Sequence, residues 1–116
     1  MPRPPRCKWV RHEPRVRLFG PKDTPPGGVI DLPVEGVEAL RLIELEGLDQ
    51  EEAARSMGVS RQTLGRVLAR ARGILARALV EGLDLVVEGG AYRVVGPGPG
   101  RGRGRRRRCR GGRGRA

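Results

Sequence analysis

The chain has 116 residues, 24 Lys/Arg against 13 Asp/Glu for a formal net charge of +11, and 19 glycines and ten prolines placed unevenly. That length holds one compact domain with tails rather than two domains. It has no run of about 18 apolar residues to cross a bilayer, and Met1-Pro2-Arg3-Pro4-Pro5-Arg6 leads into no apolar stretch of the kind a secretory leader needs, so a cytoplasmic location is the expectation.

Residues 1–32 carry seven of the ten prolines, including Pro4-Pro5 and Pro25-Pro26, and a local charge of +4 from seven basic and three acidic residues. Proline fixes φ and removes a donor. A mostly irregular basic arm is therefore expected, with a short extended stretch around Val16-Arg17-Leu18-Phe19 packed on the core. Residues 33–95 form the expected domain, with eight basic and ten acidic residues. Within it Val37, Leu40, Ile43 and Leu48 recur at helical spacing and leave Glu35, Glu38, Arg41, Glu44 and Glu46 to face water. That pattern predicts an amphipathic helix over 35–46, ended by Gly47. Asp49-Gln50-Glu51-Glu52 reads as a capping box, Ala53-Ala54-Arg55 continue the helix, and Gly58 supplies its left-handed stop. Ser60 caps the next helix, in which Leu64, Val67, Leu68, Ala71, Leu75, Ala78 and Leu79 form one apolar stripe up to Gly82. Leu83–Glu88 and Tyr92–Val95 flank Gly89-Gly90 and suggest a β-hairpin or wing. The expected fold is thus mainly α: a three-helix helix-turn-helix core with a C-terminal hairpin.

From Gly96 onward glycine alternates with proline or arginine, and residues 97–116 hold nine arginines and no acid. Such a segment cannot offset its own chain entropy, and a disordered Arg/Gly-rich tail is expected. The tail reads either as a charged tether for nucleic acid or as compositional drift, since charge runs are often merely solvated. The net charge alone therefore says little, because the middle of the chain is slightly acidic.

The residues from Asp49 to Ala71 are more specific. Small Ala53 and Ala54 let two helices approach, Gly58 permits a turn with positive φ, Val59 fills the space between the helices, and Ser60 caps the second. Charge separates the two sides of that turn: seven acids and one base from Glu35 to Glu52, then Arg61, Arg66, Arg70, Arg72 and Arg77 with no acid. A helix stabilised by its own ion pairs would mix signs. A helix of one sign, with the positive end of its dipole behind a Ser cap, suits the major groove of DNA. Arg61, Gln62, Gly65 and Arg66 are the expected base contacts, since residues at the start of such a helix reach base edges. Ser60, Thr63, Arg70, Arg72 and Arg77 are the expected phosphate contacts. Gly65 lowers helix stability by about 1 kcal/mol against Ala and implies close approach, either to DNA or to another helix.

Glu38-Ala39-Leu40-Arg41-Leu42, Leu45-Glu46-Gly47-Leu48, Gln50-Glu51-Glu52-Ala53-Ala54 and Met57-Gly58-Val59-Ser60-Arg61-Gln62-Thr63 together resemble the prokaryotic family catalogued as domain of unknown function 134. So do the opening Met-Pro-Arg-Pro and Glu88-Gly89-Gly90-Ala91-Tyr92. The resemblance implies a DNA-binding protein with a helix-turn-helix similar to region 4 of bacterial sigma factors. Where the family often has Asp-Glu entering the first helix, this chain has Glu35-Gly36, which implies a looser helix start. Where some relatives carry a second, cofactor-binding domain, this chain has the Arg/Gly tail, and no cofactor is expected.

Cys7, His12 and the distant Cys109 are too few for a metal site, which needs about four converging ligands. No nucleophile and base are paired at readable spacing, so no enzyme is expected. The function expected is sequence-specific binding of double-stranded DNA by a transcriptional regulator, with a homodimer the usual state of such proteins. Two alternatives stand beside it: a protein-interaction module whose partner docks on the acidic helices 35–57, and RNA binding through the Arg/Gly tail.

Overall fold

A computed structural model describes residues 7–95. The expectation of a disordered tail, like any role for Cys109, falls outside those residues. Within them run β1 (Lys8–Val10), β2 (Leu18–Phe19), β3 (Val29–Leu32), α1 (Val34–Leu40), α2 (Gln50–Met57), α3 (Arg61–Glu81), β4 (Asp84–Val87) and β5 (Tyr92–Val94), with α1 continuing as a π-helical stretch over Arg41–Leu45. Three helices are present as expected. The strands are a larger part of the fold than the sequence suggests.

Among its described residues the Pro-rich arm is irregular except for three short strands, β1 to β3. Val29-Ile30-Asp31-Leu32 alternates outward and inward, and β3 lies parallel to β4 with Ile30 opposite Leu85 and Leu32 opposite Val87. β2 completes a three-stranded sheet on the other side of β4, antiparallel to it. Pro33, with φ −62° and ψ 149°, ends β3 and starts α1 without an N–H to satisfy. Leu18 and Phe19 do form a strand, but both side chains stay exposed rather than packing on the core.

The expected C-terminal hairpin does not form. β4 is already hydrogen-bonded on both edges, by β2 and β3, so no edge is left for β5. Gly89 (φ 84°) and Gly90 (φ 97°) carry the chain away instead, and β5 pairs in parallel with β1 from the far end of the sequence.

The first helix differs from its amphipathic reading. Glu35 and Glu38, expected in water, are buried at 9% and 1% exposure, because β1 and β5 cover the face of α1 that α3 does not. Gly36 is a point of close packing rather than a loose start. A Cβ there would stand 3.1 Å from Leu32 Cδ1 and 3.2 Å from Ala71 Cβ, so glycine lets α1 sit down between β3 and α3.

Around α3 the apolar stripe holds as far as Ala78. Leu64, Leu68 and Ala71 are buried, and Val67, Ile74, Leu75 and Ala78 pack against the core. Leu79 is 83% exposed, because successive helical residues turn by about 100° and Ala78 already occupies the inward direction. Leu79 instead borders an apolar cleft of about 740 Å³ shared with Val16, Phe19, Leu32, Leu75 and Leu85. No helix among the described residues is long and apolar enough to cross a membrane.

Candidate nucleic-acid interface

Local rules build the start of α3. Asp49 accepts the Glu52 N–H at 2.8 Å while the Glu52 carboxylate accepts the Asp49 N–H at 2.9 Å, the reciprocal box that starts α2. Ala53, Ala54 and Met57 bury the inner face of α2 against Leu64 and Leu68 of α3. Gly58 takes φ 69°, and its N–H and that of Val59 close onto the last carbonyls of α2. Glycine is required here twice over. Its backbone is left-handed, and a Cβ would stand 2.8–3.1 Å from the ring of Trp9 in β1.

Ser60 Oγ accepts the Thr63 N–H at 3.1 Å and lies 3.0 Å from Thr63 Oγ1. The Ser60 hydroxyl is thus used to cap the helix, and its proton can go to Thr63. That leaves the Thr63 hydroxyl proton as the outward donor of the two. The remaining unpaired N–H groups of the first turn point out of the helix start, where no acid stands.

Of the residues expected to contact DNA, Arg61, Gln62 and Arg66 are exposed, and no side-chain hydrogen bond or ion pair holds them among the described residues. Arg70 is exposed and makes no hydrogen bond, although its charge lowers the pKa of the buried Glu35 slightly. Arg72 and Arg77 are not unopposed. Arg72 holds the Glu44 carboxylate across from the π-helical stretch, and Arg77 Nε lies 3.2 Å from Glu81 Oε2 one turn on. At about 100° per residue, Gln62, Arg66, Arg70 and Arg77 fall within one arc of the helix, with Arg61 to one side.

The fold bears on one of the two readings of Gly65, close approach to another helix. A Cβ there would find only Gln50 Oε1, at 3.5 Å, which is ordinary contact. Packing against α2 therefore does not demand glycine. Gly65→Ala is expected to stabilise the fold by about 1 kcal/mol, raising the thermal midpoint, while weakening DNA binding where the backbone approaches a base. Unchanged DNA affinity in that variant would remove Gly65 from the interface.

Two further groups at this site lie outside the expected set. Strand alternation puts Trp9 and its register neighbour Arg93 on the exposed face of the β1–β5 pair, and Trp9 closes on the turn at Gly58. No local pattern could have indicated them, because they meet through a pairing that joins residues 8–10 to 92–94.

The acidic helices keep much of their charge open, with Glu44, Glu46, Asp49, Glu51 and Glu52 exposed. Glu35 and Glu38 are buried, Glu44 is held by Arg72, and Glu46 lies 3.1 Å from Arg41 Nη1.

The family model described as protein of unknown function DUF134 matches residues 1–95. A UPF0251 protein of Thermoanaerobacter pseudethanolicus is 52% identical over 96 residues, covering 81% of each chain. One from Caldanaerobacter subterraneus subsp. tengcongensis is 50% identical over 98 residues, 83% of each. One from Moorella thermoacetica is 48% identical over 99 residues, 84% of this chain and 66% of that protein. No solved structure matches the chain. Residues 96–116 lie beyond the family match.

Proposed function

The chain belongs to the DUF134 family, and from that premise we propose that it is a sequence-specific double-stranded DNA-binding protein acting as a transcriptional regulator, not an enzyme. Helices α2 and α3 serve as a helix-turn-helix, and α3 enters the major groove by its N-terminal turns. The observation that carries this reading is the start of α3: exposed Arg61, Gln62 and Arg66 without protein acceptors, on a helix end fixed by the Gly58–Ser60 turn. Long cations and an amide held at a rigid helix end suit the O6/N7 edge of guanine and the N6/N7 edge of adenine.

Thr63 and Arg70 take the flanking phosphates. Arg72 and Arg77 can join them at small cost, because exposed ion pairs such as theirs contribute only about 0–1 kcal/mol. The burial of Glu35 and Glu38 removes two of the seven acids that a protein docking on helices 35–57 would meet. Pairing of two copies through a hairpin has no support, because the hairpin is absent, and of the first helix only the end around Leu45 is open.

Selection of bound duplexes from a random pool by the full chain tests the proposal. Enrichment of one short sequence is expected, and two inverted copies about 10 base pairs apart would mark a two-fold dimer. A pool that stays random after repeated selection rejects the reading.

A further inference from the structure

The last turn of α3 puts apolar side chains where a solvated helix carries polar ones. Between Arg77 and Glu81 the chain reads Ala78-Leu79-Val80, and only Ala78 turns inward, which leaves Leu79 83% and Val80 84% exposed. Gly82 then stops the helix in a left-handed conformation, and Leu83 leads into β4. Beside this ridge lies the apolar cleft of about 740 Å³. The nearly buried Leu32 and Leu85 lie deep in it, and the half-exposed Val16 and Phe19 border it from the N-terminal arm.

We propose that this face joins two copies of the chain about a two-fold axis, with the Leu79–Val80 ridge of each copy seated in the cleft of the other.

Area, charge and shape name a second copy as the occupant. Val16, Phe19, Leu79 and Val80 are four of the eight large apolar side chains exposed among the described residues. At about 100 Å² each they leave on the order of 400 Å² of apolar surface in water. That is half of the roughly 800 Å² that each partner contributes to a stable pair, the share expected of an apolar core inside a polar rim. A small molecule held in the cleft would still leave Val80 in water. The chain has a net charge of +11, with 32% of its residues charged, so a like-charged copy can approach only through a face nearly free of charge. Among the described residues Arg15 alone brings a charge to the lining of the cleft. Arg66 and Arg70 point about 140–180° away from Leu79 around α3. A ridge beside a hollow on one molecule suits a two-fold joint, because each copy gives what the other takes and no third copy can add.

The joint also leaves the start of α3 open. Gln62 lies about 25 Å from Leu79 along the helix, so two such ends stand up to about 50 Å apart. That span covers the roughly 34 Å between half-sites one helical turn apart on a duplex. The pairing itself does not depend on what α3 reads.

Sedimentation of the full chain without DNA, from roughly 1 to 500 μM, tests the proposal. The mass is expected to rise with concentration from that of one 12.6 kDa chain to that of two. Leu79→Glu with Val80→Lys raises the midpoint of that transition at least about 30-fold while leaving the far-ultraviolet circular dichroism unchanged, since both positions are open to solvent. Leu45→Glu, which changes an 81% exposed leucine at the end of the π-helical stretch, leaves the midpoint where it was. A chain that stays at 12.6 kDa throughout overturns the proposal, as does a dimer that survives the double change. A monomer from which organic solvent extracts an apolar molecule gives the cleft to a small ligand instead. Dissociation by Leu45→Glu moves the joint to the first helix. The two readings fail separately: a dimer that enriches no duplex leaves the pairing standing and removes the role of α3, whereas a monomer that enriches a single unrepeated site does the reverse.

Discussion

Changing Arg61 and Arg66 together to alanine is expected to weaken binding to the preferred duplex by roughly 2–6 kcal/mol, at least about 30-fold, with little effect on folding. Each bidentate pairing with a base edge accounts for about 1–3 kcal/mol of discrimination, and the two positions supply two such pairings. Both side chains are exposed and no protein partner holds them, so their removal leaves nothing unsatisfied in the fold. Surface changes of that kind stay within about 0.5 kcal/mol of the parent stability. The pairing of a large functional loss with an unchanged thermal midpoint is what distinguishes a reading residue from a structural one. On random duplex the loss is smaller, because only the charge of two arginines is lost. Arg70→Ala provides the contrast, with an equal loss on both duplexes and a salt slope shallower by about one. Equal losses on preferred and random DNA for the Arg61/Arg66 variant would remove base reading from this helix.

What the sequence made legible was local. The Asp49–Glu52 box, the left-handed Gly58 and the Ser60 cap each depend on residues within three or four positions of one another, and each stands where the pattern put it. What it concealed was pairing across the chain. β1, β2 and β5 are two or three residues long, too short for alternation to show, and β1 meets β5 across more than eighty residues of sequence. That pairing covers the outer face of α1, so glutamates that read as a water-facing arc are inside, while β2 and β3 take both edges of β4 and leave none for β5. The arginine series has a related explanation. Its one-sign spacing along Arg61–Arg77 is local, but the acids opposing Arg72 and Arg77 lie at Glu44, on another element, and at Glu81, past the last of the five arginines.

The two buried glutamates are expected to respond oppositely to loss of charge. Glu38 accepts from Arg41 Nε at 3.1 Å, Arg41 Nη2 at 2.9 Å and the Arg11 N–H at 3.0 Å, and its bond to the guanidinium raises the pKa of Arg41 further. Glu38→Ala strands a half-buried guanidinium and a backbone N–H, and breaking a buried pair in this way costs about 3–5 kcal/mol. Because Arg41 keeps Glu46 and some solvent, the lower end applies, a fall in thermal midpoint of roughly 10–20 °C for a domain of this size.

Glu35 has no such partners. Its Oε1 is buried without a hydrogen bond, Lys8 Nζ stands 3.9 Å from Oε2, and the Gly89-Gly90 turn closes over it. Burial raises its carboxyl above the ordinary value of 4.5, and the nearby N–H groups of Glu35 and Ala91 with the charges of Lys8 and Arg70 only partly offset this. An acid whose pKa is higher folded than unfolded binds its proton more tightly in the native state. Its contribution to stability is therefore full below the unfolded value and is lost as the pH rises through the folded one. Glu35→Gln removes that loss: its urea midpoint exceeds the parent's at pH 7 and falls back toward it at pH 4, while Glu38→Gln is less stable than the parent at pH 7. A Glu35→Gln chain less stable than the parent at pH 7 would mean that the carboxylate is held charged by Lys8 and that burial is not the dominant force on it.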